Sequence, residues 1–260
     1  MHAETNIVLV GHSHLQAVMA ASRSATSVAS SCAEEKYAFV PIDAKSKTQS
    51  PLLLADGTIN MTLGDALLKA GLFEPRRQRV LVSIMAGNIH NATGLIQQDP
   101  EYDVVIPGRP DLQVSQGVRT VPVEQFLHYF RKHYAPFVDF LKAAGAAAKP
   151  QKVLWIEPPP PIADNEHISR NLDQWFKNNY SAERLTPAPA VLRYKLWLLN
   201  RIALQEAAKK EGWTFLTAPE TAIDENGFLV RHAWAGDATH GSAWYGEEVL
   251  KKIKAAVASS

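Results

Sequence analysis

Apolar and polar residues follow two patterns along this chain. Short apolar runs rich in β-branched residues are typical of buried strands, and longer segments with apolar residues three or four positions apart are typical of helices. Strands are predicted at residues 7–10, 37–42, 79–85, 153–157 and 214–216, and helices at residues 15–30, 62–70, 122–148, 171–180, 190–211 and 243–257. This alternation predicts an α/β fold of three layers, α/β/α, with a parallel sheet of about five strands. We expect one domain over residues 1–260.

Prolines modify this outline at three places. Pro41 lies inside the second predicted strand, and because proline cannot donate a ladder hydrogen bond, that strand is expected at an edge of the sheet. Pro136 is a point where the longest predicted helix can break. The prolines at residues 158–161 directly follow a buried strand, which favours a rigid loop wall over a docking peptide for a partner domain.

The first predicted strand ends in Gly11-His12-Ser13-His14, just before a predicted helix. Open α/β folds place their active sites at the edge of the sheet formed by the carboxyl ends of the strands. We therefore expect Ser13 at a strand-to-helix corner, with its N–H at a helix N-terminus, where negative charge is favourable. Such a serine is suited to be a nucleophile, or else it serves as the N-cap of the helix.

Two further segments supply the partners that a nucleophilic serine needs. Asp237 and His240 are three residues apart in a glycine-flanked segment. This spacing lets the carboxylate bind the imidazole Nδ1–H and leaves Nε2 to accept a proton. Asn88 follows the third predicted strand, where its amide either donates a hydrogen bond to an oxyanion or shapes its own turn. Together the three segments favour nucleophilic catalysis.

Composition and charge narrow the function. The 27 basic and 26 acidic side chains nearly balance, which indicates neither nucleic acid nor an anionic membrane surface as a partner. No apolar run reaches the length of a membrane span. Cys32 is the single cysteine, which excludes an internal disulfide and a cysteine-based zinc site. With no secretory signal apparent, we expect a cytoplasmic protein that needs no cofactor.

The order of these segments resembles that of the SGNH (GDSL-type) hydrolase family, over nearly the whole chain. The resemblance implies a flavodoxin-like sheet. It also implies one role for each candidate residue: nucleophile for Ser13, general base and acid for His240, orientation of His240 for Asp237, and oxyanion donors for Asn88 and the Ser13 N–H.

The chain departs from the family pattern at three points. His12 stands where the family usually has the aspartate of Gly-Asp-Ser, and Ala86 occupies the first glycine position of the Gly-x-Asn block. The glycine N–H that usually acts as a third oxyanion donor has no clear match, Gly57 and Gly64 being the nearest candidates. We therefore expect an atypical branch of the family.

Histidines are frequent near the predicted strand ends. We expect the substrate site to be lined by His12, His14, Gly87 and His90, with His14 and His90 at its mouth or bound to a loop. These histidines also resemble the Gly-His-x-His and Gly-Asn-His blocks of binuclear metallophosphoesterases, although the blocks occur in reverse order and Ile89 interrupts the second. A metal-dependent phosphoesterase is therefore an alternative.

The sequence thus predicts hydrolysis of an acyl ester through an acyl-serine intermediate. By resemblance, substrates include acetylated sugars, small acyl esters and lipid esters. Acyl transfer to another alcohol and a catalytically silent binding domain are further alternatives. Arg193 and Lys195 are expected on a solvated face of their helix, although one of them is able to bind an acidic group of the substrate.

Overall fold

The structure is a computed structural model that describes residues 5–26, 35–43, 45–180 and 185–259. Cys32 and residues 27–30 of the first predicted helix lie outside the described residues. Within the described ranges, no helix is long and apolar enough to cross a membrane.

Two parallel sheets form among the described residues. The larger sheet contains β1 (Thr5–Gly11), β2 (Glu35–Pro41), β3 (Gln78–Ile84), β6 (Lys152–Ile156) and β7 (Thr214–Leu216), and the smaller contains β4 (Tyr102–Asp103) and β5 (Arg119–Thr120). The order of the larger sheet is β2-β1-β3-β6-β7, which is the flavodoxin-like order. All of its strand pairs are parallel, and β2 lies at an edge, as Pro41 predicts.

Helices cover both faces of the larger sheet. They are α1 (Leu15–Thr26), α2 (Met61–Lys69), α3 (Ile89–Gly94), α4 (Val123–Ala148), α5 (Asn165–Arg170), α6 (Gln174–Asn179), α7 (Ala190–Lys210) and α8 (Ala243–Ala258). Side chains of β1 alternate between two cores: Val8 and Val10 pack with α2, α4 and α7, whereas Ile7 and Leu9 pack with α1, α5 and α8. The predicted three-layer α/β/α class is confirmed.

Some predicted boundaries are wrong. The helix α4 runs unbroken through Pro136, which lies on its exposed side, where water can bind the carbonyl group that proline leaves without an amide partner. The helix predicted at residues 171–180 starts only at Gln174, and α5 precedes it. The residues at 158–161 are buried, which fits the predicted rigid wall and not an exposed docking peptide.

The expectation that Arg193 and Lys195 face solvent is also wrong, since both side chains are buried. Lys195 Nζ lies 2.8 Å from Asp103 Oδ1 and donates to the Gln113 carbonyl oxygen. The Arg193 guanidinium donates to Asn165 and to backbone carbonyl groups of the loop that follows β6. Both buried cations are stabilised by these hydrogen bonds, although Arg193 Nε has no partner among the described residues. They fasten two irregular segments to α7 and take no part in the cleft described below.

The first and last helices, α1 and α8, pack side by side on one face of the sheet. Their contact is so close that a Cβ atom at Gly246 of α8 would overlap the Ala17 carbonyl group of α1. This approach brings the corner that follows β1 to the segment that precedes α8. The two ends of the described chain therefore meet at one edge of the sheet.

We predict that Gly246→Ala lowers the free energy of unfolding by about 1–2 kcal/mol, because overlap with Ala17 outweighs the gain in helix propensity. Gly145→Ala in α4 is the matched control, since a Cβ atom there meets nothing within 4 Å. The control should raise stability by about 0.5–1 kcal/mol. Urea unfolding measures both, and a rise for both variants would contradict the prediction.

Candidate active site

A cleft of about 850 Å³ opens at the carboxyl end of the larger sheet. Its lining includes Ser13, from the corner between β1 and α1, and Gly87 and Asn88, from the segment that follows β3. Because β1 and β3 are neighbours, the two segments lie side by side. The volume is in the range of small-molecule sites.

Ser13 lies at the strand-to-helix corner predicted from the sequence, and its side chain is exposed to the cleft. The first turn of α1 is closed by backbone bonds from Leu15 N–H to the His12 carbonyl and from Gln16 N–H to the Ser13 carbonyl. Within the described part of the chain, neither the hydroxyl nor the N–H of Ser13 forms a hydrogen bond. The hydroxyl therefore does not cap the helix.

Asn88 precedes α3, but its side chain does not cap that helix. Instead its Oδ1 accepts a hydrogen bond of 2.8 Å from Asn91 Nδ2. With the oxygen engaged, the two N–H groups of the Asn88 amide are left to donate, as an oxyanion donor requires. Asn91 is a site residue that sequence reasoning missed, and its signal is the three-residue spacing from Asn88 on a helix.

The two residues before Asn88 have unusual backbone surroundings. Ala86 has φ of 63°, in the left-handed region that favours glycine, which is the residue of the Gly-x-Asn block at this position in the family that the sequence resembles. The strain for an alanine is about 1 kcal/mol. A Cβ atom at Gly87 would overlap the His14 ring, so this glycine is needed for close packing as well as for lining the cleft.

Asp237 and His240 form the hydrogen bond that their spacing predicts, with 2.8 Å between Asp237 Oδ2 and His240 Nδ1. The other carboxylate oxygen accepts the N–H groups of Thr239 and His240. Burial acts to raise the pKa of Asp237, but these hydrogen bonds and the neighbouring imidazole hold it well below its ordinary value. His167 Nε2 supports the turn by donating to the Asp237 carbonyl group.

His240 is not hydrogen-bonded to Ser13 in this structure. Its Nε2 is buried and has no hydrogen-bond partner among the described residues. The ring instead contacts that of His14, with 4.6 Å between centroids and a tilt of 50°. Since His14 directly follows Ser13, the structure brings the Asp237–His240 pair next to the serine corner. The direct contact between Ser13 and His240 stays a prediction.

His12 lines the cleft and packs the edge of its ring on Phe137 of α4, with 5.3 Å between centroids. Burial, with a smaller effect from His133, lowers the pKa of His12 to about 4. His12 thus offers a neutral wall at neutral pH, at the position where the family that the sequence resembles usually has an aspartate. His133 and Phe137 also line the cleft. They were not predicted from the sequence because α4 is far from β1 along the chain.

One expectation about the lining is not met. His90 is buried in α3 and is not among the residues that line the cleft, so it does not lie at the mouth. The N–H groups of Gly57 and Gly64 donate to Leu54 and Asn60 carbonyl groups, respectively, and are not free to bind an oxyanion. Among the described residues, no group of three or more His, Cys, Asp or Glu side chains is arranged to hold a metal ion.

Comparisons with known proteins support the fold. No protein-family model and no curated protein matches the sequence. The periplasmic domain of a lipopolysaccharide acetyltransferase from Salmonella ser. Paratyphi A superposes with a TM-score of 0.50 at 15% identity, covering 98% of this chain and 84% of that one. Phospholipase A1 from Streptomyces albidoflavus NA297 gives 0.47 at 11% identity, covering 97% and 99%. Est24, a carbohydrate acetylesterase from Sinorhizobium meliloti, gives 0.42 at 17% identity, covering 98% and 99%.

The strand order, the layers and the first of these likenesses agree with the fold implied by the sequence resemblance. The chain shares its overall three-layer α/β/α fold with the lipopolysaccharide acetyltransferase domain.

Burial of His90 predicts a pH dependence of stability. Burial lowers its pKa to about 3, so the folded state binds fewer protons than the unfolded state between that value and about 6.5. The free energy of unfolding therefore decreases as pH falls through this window, by up to about 1.4 kcal/mol per pH unit from His90.

We expect His90→Gln to give a shallower dependence of the unfolding free energy on pH between 6 and 4. Urea unfolding at several pH values measures this slope. The exposed His128, replaced by Gln, is the matched control and should give the wild-type slope. Equal slopes for the wild type and His90→Gln would contradict the prediction.

Proposed function

We propose that this protein hydrolyses carboxylic acyl esters through an acyl-serine intermediate, with Ser13 as the nucleophile. The observation that carries the proposal is the hydrogen-bonded Asp237–His240 pair, packed on the residue that follows an exposed serine. Asn88, with its amide oxygen already engaged, lines the same cleft as Ser13. These are the parts that acyl transfer to a serine requires.

In the first step, the Ser13 hydroxyl turns toward His240 and attacks the ester carbonyl carbon while Nε2 takes its proton. Nε2 is suited to this role because Nδ1–H is held by Asp237 and Nε2 has no partner within the described residues. The carboxylate, with its lowered pKa, stays ionised and stabilises the imidazolium.

The tetrahedral intermediate carries a negative charge on the former carbonyl oxygen. Asn88 Nδ2 and the Ser13 N–H, which has no hydrogen bond in the described structure, donate to this oxygen. The imidazolium returns its proton to the departing alcohol, which leaves the acyl-serine. A water molecule activated by His240 then attacks the acyl carbon and releases the acid.

The substrate class follows from the cleft. A volume of about 850 Å³ exceeds what a small acyl group fills, so the alcohol is a sizeable part of the ligand. Aromatic walls face polar side chains: the lining combines Trp175, Phe176 and Phe137 with Gln16, Gln49 and Asp173. Flat apolar faces beside amide and carboxylate groups suit a sugar ring with its hydroxyl groups. We therefore propose acyl esters of small molecules or carbohydrates as substrates.

A fluorophosphonate probe tests the nucleophile. Wild-type protein should be labelled once, and Ser13→Ala should not be labelled and should lose at least about 1,000-fold in kcat for aryl acetates. Ser169→Ala, an exposed serine on α5, is the control and should keep both properties. Labelling or turnover that persists in Ser13→Ala would reject Ser13 as the nucleophile.

Trp175 tests the substrate class, since its side chain is 43% exposed and lines the cleft. We expect Trp175→Ala to raise KM about 5-fold for an acetylated disaccharide, at unchanged kcat, because about 1 kcal/mol of ring stacking is lost. KM for ethyl acetate should not change.

Tyr129→Ala provides the control, as an exposed aromatic residue that is not among the cleft-lining residues. A rise in KM for both esters, or for neither, would argue against a sugar ring stacked on Trp175.

A further inference from the structure

His14 lines the cleft and belongs to a buried cluster of histidines at its base. Only 6% of the residue is exposed, and neither ring nitrogen has a hydrogen-bond partner among the described residues. Its ring contacts that of His240, with 4.6 Å between centroids. His14 lines the cleft, as the sequence predicts, but most of its ring is covered by protein.

The packing around His14 is built for this ring. Gly87 makes room for it, because a Cβ atom there would overlap the His14 side chain. The ring also contacts that of His240, which Asp237 binds through Nδ1. The His14 side chain is therefore one direct contact between the corner that follows β1 and the Asp237–His240 turn.

The groups that face His14 also fix its charge. They are His240 and Asp237 from the segment before α8, His90 from α3 and the backbone of Gly87. Burial first, and then the histidine neighbours, hold the pKa of His14 well below its ordinary value. A neutral His14 leaves the positive charge formed in catalysis to His240, where Asp237 stabilises it.

We propose that His14 is a positioning residue: its neutral ring, packed on His240, holds the imidazole in line with Asp237 and anchors the corner that carries Ser13. The inference rests on the proposed function for its effect on turnover, but not for its effect on His240 itself. Contact of the ring is the essential property, so a different flat ring should replace His14 and a small side chain should not.

Three variants separate ring packing from hydrogen bonding: His14→Ala, His14→Asn and His14→Phe. Ala and Asn should lower kcat for an aryl acetate about 10- to 100-fold at nearly unchanged KM, because displacement of a catalytic group by about 1 Å has effects of this size. Phe should restore kcat to within about 5-fold of wild type. Wild-type kcat in His14→Asn would overturn the proposal.

Proton and ¹⁵N NMR of the imidazoles gives a readout that needs no activity. Wild type and His14→Phe should show the low-field Nδ1–H resonance of His240, which His240→Asn assigns, and His14→Ala should lose it or show averaged tautomers. His232→Ala is the matched control, since His232 also packs on an aromatic ring, at 4.3 Å from Trp244.

Turnover and the His240 resonance together distinguish failure of the proposed function from failure of the positioning role. If wild type turns over no ester but loses the resonance in His14→Ala, the proposed function fails and the positioning role stands. An unchanged resonance in a folded His14→Ala protein would overturn the positioning role, whatever the activity. If the His14→Phe protein does not fold, the kcat values of His14→Asn, His14→Ala and wild type still test the proposal, because a wild-type kcat in His14→Asn would overturn it.

Discussion

Close packing of α1 against α8 is the constraint on which the candidate site depends. In a flavodoxin-like sheet the first strand lies inside the sheet, and the last helix returns to cover the face on which the first helix lies. Gly246 lets the two helices approach until the Ala17 carbonyl group is in contact. The serine corner directly precedes α1 and the Asp237–His240 turn directly precedes α8. The two segments are therefore close because α1 and α8 pack together, and no local sequence signal brings them together.

Backbone strain and buried polar groups without hydrogen bonds occur at the same edge of the sheet. Ala86 has a backbone conformation that favours glycine, and His14 and His90 are buried with ring nitrogens that have no partner among the described residues. Buried polar groups without hydrogen bonds are expensive, and they persist only where the surrounding structure fixes them. Proteins depart from local rules in this way mainly at functional sites. These costs support the proposed site without reference to any resemblance, although other buried atoms without partners, such as Arg79 Nε and Asn200 Nδ2, occur elsewhere among the described residues.

Sequence reasoning succeeded where a pattern is long or the interacting groups are close in the chain. The five strands of the larger sheet were predicted because each contains a short run of apolar residues, although the edge strands β2 and β7 are only partly buried. The helices α3 and α5 were missed, because six residues are too few to show a helical period. Lys195 was misjudged for another reason: its partner, Asp103, lies far away in the chain and in a segment without regular pattern.

The sequence by itself determined the layered fold, the serine at the end of the first strand and the hydrogen bond between Asp237 and His240. These features follow from hydrophobic periodicity and from a spacing of three residues, which are properties of the chain over short distances. Tertiary structure alone decided that His14 lies between Gly87 and His240, that His90 is buried away from the cleft, and that α4 supplies a wall of it. Contacts of this kind depend on how helices pack on the sheet, and helix packing is fixed by the fit of many side chains at once, which no single segment encodes.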